Sequence, residues 1–228
     1  MATVIFDLDG TLADTGGDLI AAANSCFVSQ GYGHVLDPVE DKAVAFNGGR
    51  AMLNLGYERL GIPADETVID KNFYELIAYY EDHIDDYTII YPGVENALQT
   101  LLKAGYKLGI CTNKPEHLAD MLLRQLGLRH YFGSFIGADT LPKRKPDPYP
   151  YEIAVERLGG DLARSCLIGD TKTDYDTARA ANVPIILVGF GPMGQKIQSL
   201  NPDAILDDYD DLTSIISRLI GDPVTTPT

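Results

Sequence analysis

The chain has 228 residues, enough for one good core or for a core domain with a smaller insertion, and 45% are hydrophobic, as in an ordinary globular protein. Lys and Arg number 18 against 33 Asp and Glu, a formal net charge of −15, which argues against nucleic acid and anionic membranes as partners. Any site for an anionic substrate in such a chain needs positive charge of its own.

The first element sets the reading. Val4-Ile5-Phe6 is apolar and β-favouring, and it runs directly into Asp7-Leu8-Asp9-Gly10-Thr11. A short apolar run ending in Asp and Gly predicts a buried strand that meets a tight turn. In open parallel sheets the reactive crevice lies beyond the carboxyl ends of the strands. Asp7 and Asp9 are therefore placed where one carboxylate could attack and the other could shuttle a proton. Two such close carboxylates repel each other, and a hard divalent cation with oxygen ligands would answer that. In so acidic a chain an Asp-x-Asp pair alone also reads as solvated surface. The strand before it and the Gly-Thr behind it favour chemistry.

After Thr11 the pattern turns helical. Asp18 to Val28, Glu40 to Phe46, Arg50 to Leu60 and Asp65 to Tyr80 carry apolar residues at helical spacing, separated by breakers such as Asn47-Gly48-Gly49 and Gly61-Ile62-Pro63. No strand is expected between about Asp14 and Tyr87. From Tyr91-Pro92-Gly93 onward strands and helices alternate. Strands are expected at Tyr106 to Cys111, Phe135-Ile136, Cys166 to Ile168, Ile185 to Val188 and Ala204 to Leu206, with helices between them. Asn182 is expected as a left-handed helix stop. This alternation predicts an α/β fold, a doubly wound parallel sheet (a Rossmann-like core), with an inserted helical domain. The boundaries are 1–13 and 91–221 for the core, 14–90 for the insertion and 222–228 for a flexible tail.

Three further strand ends deliver polar groups. Thr112-Asn113 offers a hydroxyl and an amide that could donate to phosphate oxygens, or could cap the helix starting near Pro115. Lys143-Arg144-Lys145-Pro146-Asp147-Pro148 is a basic island in an acidic chain, suited to fixing an ammonium beside a transferring phosphoryl group or simply solvated. In Gly169-Asp170-Thr171-Lys172-Thr173-Asp174, Asp174 is explained by a helix start alone, whereas Asp170 is not. Cys26, Cys111 and Cys166 are widely spaced, Cys111 and Cys166 within apolar runs. No Cys or His cluster has zinc-ligand spacing, and no run approaches membrane-spanning length. The expected setting is a reducing cytoplasm.

In order along nearly the whole chain, Asp7-Leu8-Asp9-Gly10-Thr11, Thr112-Asn113, Lys145-Pro146-Asp147-Pro148 and Gly169-Asp170-x-x-x-Asp174 resemble the haloacid dehalogenase superfamily, and within it the phosphoglycolate phosphatase group. That resemblance implies a magnesium-dependent phosphatase of small phosphate monoesters. Asp7 would form an aspartyl-phosphate and Asp9 would act as acid and then base. Asp7, the Asp9 carbonyl, Asp170 and Asp174 would hold Mg2+, the last directly or through water, while Thr112, Asn113 and Lys145 would bind the phosphoryl oxygens. The helical insertion would be a cap, with hinges near 14–17 and 86–92, and Arg50 between two cap helices the candidate for a second anionic group of the substrate. The expected partner is a small anionic phosphate ester, and the expected state a monomer or homodimer. Haloacid dehalogenases themselves do not carry the second aspartate. β-Phosphoglucomutases typically have Glu-Asp where this chain has Gly169-Asp170, which makes a phosphotransferase the alternative. A phospho-acceptor signalling module fits neither the length nor the position of the acidic pair.

Overall fold

The computed structural model describes residues 1–223, so most of the expected tail, 224–228, lies outside the described residues. The chain forms two compact units. One comprises Met1–Ala13 and the chain from Ile90 onward; the other is Asp14–Ile89.

In chain order the first strand, β1 (Thr3–Phe6), leads to β2 (Ala13–Asp14) and then to four helices, α1 (Gly16–Ser29), α2 (Lys42–Ala45), α3 (Gly49–Leu60) and α4 (Glu66–Asp82). The return strand β3 (Ile89–Ile90) pairs with β2. The helical unit has its own apolar centre, including Phe27, Met52, Leu53, Ile69 and Leu76. Gly56 lets α3 approach α1 closely, since a Cβ there would lie 2.2 Å from the Phe27 ring. The buried Asp18 accepts from the Tyr87 N–H and the Thr88 hydroxyl, tying the start of α1 to the returning chain.

The larger unit continues through α5 (Val94–Lys103), β4 (Lys107–Cys111), α6 (Glu116–Gln125), β5 (Ser134–Ile136), α7 (Tyr149–Arg157), β6 (Ser165–Gly169), α8 (Lys172–Ala180), β7 (Ile185–Val188), β8 (Ala204–Leu206) and α9 (Leu212–Ile220). Its six strands are parallel in the order β5-β4-β1-β6-β7-β8. All of β1, β6 and β7 is buried, which is why these segments read as continuous apolar runs without alternation. The strand order reverses beside β1, so the crevice of this doubly wound sheet opens at the carboxyl ends of β1 and β6. Asn182 follows α8 in the left-handed conformation (φ 55°). Asp222 is tied back to this unit, its carbonyl accepting from Arg164 at 2.5 Å and its carboxylate from the Tyr106 hydroxyl at 3.3 Å.

Candidate active site

β1 delivers Asp7 to the crevice, and the next residues coil at once into a turn. The N–H groups of Thr11 and Leu12 both bond the Leu8 carbonyl, at 3.2 and 2.9 Å, and Gly10 takes the positive φ of 75° that a side chain would resist. β4 brings Thr112, and β6 brings Asp170. All of these lie at the carboxyl ends of central strands.

Lys145 draws the strand ends together. Its ammonium is 3.0 Å from Asp7 Oδ2 and 2.6 Å from Asp174 Oδ1, with 1% of the side chain exposed. Burial works against the charged form of Lys145, but Asp174 and Asp7 more than offset it and hold its pKa above the ordinary value. Burial pushes the Asp7 carboxyl up to about 6; Lys145 opposes that rise, while Asp174 and Asp9 add to it. Asp170 is likewise held well above its usual range by burial, then by Asp174 and Asp7.

A cation fits this donor set. Carboxylate oxygens of Asp7, Asp170 and Asp174 lie within 4.8 Å of one another. Asp170 Oδ1 accepts from the Thr11 hydroxyl at 3.1 Å, whereas its buried Oδ2 has no hydrogen-bond partner among the described residues. A buried, orphaned carboxylate oxygen is costly unless something positive meets it. Oxygen-only donors suit a hard divalent ion. Asp174 is differently engaged. Its Oδ2 accepts from the Thr171 N–H and hydroxyl, at 3.1 and 2.8 Å, as the third residue of α8, and its Oδ1 takes Lys145.

Of the two roles the sequence left open for Asn113 the capping one is not taken, and one cation of the site was not anticipated. The Asn113 amide does not cap α6; it donates to the Lys145 carbonyl at 2.9 Å, and the first N–H of α6, that of Glu116, is capped by Asp139 at 2.8 Å. The Thr112 hydroxyl accepts from the Lys114 N–H at 3.2 Å and, as a hydroxyl, can still donate its own proton. Lys114 itself was not anticipated. Its ammonium, with 4% of the side chain exposed, lies 3.0 Å from Asp9 Oδ1. The only sequence signal was a cation directly after Thr112-Asn113 at a strand end. Lys143 of the basic island pairs with Asp147 at 2.8 Å. Arg50 lies in the helical unit, paired with Asp70 and Glu66 and 5.1 Å from the Phe73 ring centroid.

A family model described as haloacid dehalogenase-like hydrolase matches residues 4–188. The chain is 35% identical to the phosphoglycolate phosphatase of Mesorhizobium japonicum, covering 95% of this chain and 96% of the relative. It is 37% identical to that of Agrobacterium fabrum, over 95% and 93%. Among solved structures, a Haemophilus somnus protein described as a predicted phosphoglycolate phosphatase superposes with a TM-score of 0.84 at 24% identity, covering 94% of this chain and 97% of that one. The chain therefore belongs to the haloacid dehalogenase-like hydrolase family.

Proposed function

We propose that this phosphatase hydrolyses small phosphate monoesters with a divalent cation, magnesium by preference, through an aspartyl-phosphate on Asp7, and that phosphoglycolate is its substrate. The observation that carries the reading is the Lys145 bridge between Asp7 and Asp174, beside the orphaned oxygen of Asp170. An Asp7 oxygen attacks phosphorus as the bond to the leaving oxygen breaks, which divides a difficult displacement into two easier ones. Asp9 donates its proton to that leaving oxygen, then takes one from the water that cleaves the aspartyl-phosphate. Lys145 and the Thr112 hydroxyl meet the phosphoryl oxygens, and Asn113 fixes the loop that presents Lys145.

Asp7, the Asp9 carbonyl and Asp170 would hold the cation, which supplies charge neutralisation at the phosphoryl oxygens when bound. Asp174, in the same cluster, holds Lys145 and would reach the cation directly or through water. We read the helical unit as a cap and Arg50 as its contribution to recognising a second anionic group by charge-assisted hydrogen bonds. The names of the relatives at 35% and 37% identity support phosphoglycolate as the ester.

The test is phosphate release, with magnesium and with EDTA, from 2-phosphoglycolate, sugar phosphates, nucleotides and pyrophosphate. Magnesium-dependent release with the highest kcat/KM for phosphoglycolate is expected. A flat profile removes the substrate and leaves the phosphatase; rearranged sugar phosphate in place of free phosphate makes the chain a phosphotransferase.

A further inference from the structure

We infer that Tyr209, distant in sequence from every motif of the site, is a positioning residue that sets the cation-binding geometry of Asp170 through the Thr11 turn. The inference rests on Asp170 being a cation ligand and adds a residue to that assignment.

Tyr209 opens a 3-10 turn, Tyr209–Asp211, that leads into α9. Its ring is buried, so its hydroxyl needs a partner inside the protein. It donates to the Thr11 carbonyl at 2.7 Å. Thr11 is itself fully buried, its N–H bonds the Leu8 carbonyl, and its hydroxyl donates to Asp170 Oδ1 at 3.1 Å. The turn is thus held at the backbone on both sides of the hydroxyl that fixes one Asp170 oxygen. The other oxygen, Oδ2, is the one without a partner among the described residues.

A second route runs through packing. The Tyr209 ring lies 5.7 Å from that of Phe190, which lies 4.7 Å from that of Tyr91. Gly191, next to Phe190, backs directly onto the same groups: a Cβ there would lie 3.1 Å from Asp170 Cβ and 3.2 Å from the Gly10 carbonyl oxygen. Gly93, at φ 82°, lets the backbone approach Tyr209 so closely that a Cβ would come within 2.9 Å of Tyr209 Cβ. A tyrosine serving only as core filling would need the ring and these contacts, but not a hydroxyl aimed at the turn.

Outer hydrogen bonds that orient a ligating carboxylate change metal affinity by about 10–100-fold when removed. Tyr209→Phe keeps the ring and removes only the hydroxyl. The measurement is Mg2+ binding to the full chain by titration calorimetry without substrate, beside the melting temperature in EDTA. Tyr209→Phe is expected to raise the Mg2+ Kd about tenfold. Thr11→Val is expected to do the same, with the double variant little worse than either, because both remove links of one chain. A wild-type Kd in folded Tyr209→Phe, whatever its melting temperature, overturns the inference and leaves Tyr209 as core. Should Tyr209→Phe not fold, an unchanged Kd in Thr11→Val overturns it equally. Wild-type protein that binds no Mg2+ overturns the cation reading of Asp170 and the inference with it, an outcome distinct from variants that match a tight-binding wild type.

Discussion

The ammonium of Lys114 and the carboxylate of Asp9 face each other at 3.0 Å across 105 residues of sequence, the lysine almost wholly buried. An acid–base group must present its proton to one atom of the substrate, and a misplacement of about 1 Å can cost roughly 10²-fold. Lys114 holds the Asp9 carboxylate from one side. Lys114→Met is therefore expected to lower kcat by about 10²-fold with a smaller change in KM, and Lys114→Arg to recover part of the loss. A rise in KM at unchanged kcat would instead make Lys114 a contact for bound substrate.

Asp7 carries a prediction about stability as well as turnover. Its carboxyl is raised from 3.8 to about 6, so the folded chain binds this proton more tightly than the unfolded chain does. The associated stability is present below pH 3.8 and is lost as pH rises to about 6. Asp7→Asn removes a charge that burial disfavours and keeps the shape. It should abolish phosphate release, yet in EDTA at pH 7.5 it should melt above wild type, by ~5 °C, and the gap should close at pH 4. Magnesium should raise the melting point of wild type more than that of the variant. A variant less stable than wild type at both pH values would show that Lys145, not burial, dominates the energy of Asp7.

The fold was legible where burial is strongest. β1, β6 and β7 are buried throughout, so beyond the polar Thr3 and Ser165 their sequences are apolar, and β1 and β6 lead into carboxylates, Asp7 and Asp170, that a buried strand end would not keep without reason. Asn182 was legible because αL conformation favours so few residues. Pairings across the sequence were not. Nothing near Lys114 speaks of Asp9, and nothing near Tyr209 speaks of Thr11, because each partner is supplied by a strand end or turn that only the sheet order brings alongside. For Asn113 a local rule left helix capping open beside phosphate binding, and the sequence could not show that Asp139, after β5, takes the capping place. The paired strands β2 and β3 are two residues each, too short to leave a period.

Arg50 is engaged by Asp70 and Glu66, both substantially exposed, so an anionic group of a substrate would have to compete with carboxylates for it. Arg50→Ala should raise KM for phosphoglycolate more than for p-nitrophenyl phosphate, and Asp70→Asn, by releasing the guanidinium, should lower it. Parallel changes for the two esters would confine Arg50 to bracing α3 against α4.

Gly169 separates the hydrolase reading from its phosphotransferase rival on steric grounds. A Cβ at this position would lie 2.3 Å from Asp174 Cγ and 2.7 Å from its Oδ2, inside any allowed contact. Asp174 cannot yield easily, because its two oxygens are held by Lys145 and by the N-terminus of α8. A side chain at 169 and the present Asp174 therefore exclude each other, so the Glu-Asp pair of β-phosphoglucomutases could not be grafted here by changing residue 169 alone. Gly169→Ala should destabilise the protein by about 1–3 kcal/mol, the usual effect of overpacking, and lower kcat by displacing Lys145. Adding Asp174→Gly should restore part of the stability, because every clashing atom, the Asp174 Cβ at 2.4 Å included, is then gone, but not the activity, because Lys145 loses one of its two carboxylates. A double-mutant cycle on the melting free energies measures that coupling directly. Strictly additive effects would mean that the β6 backbone, not Asp174, absorbs the added methyl group, and the steric case against a glutamate at 169 would fall with it.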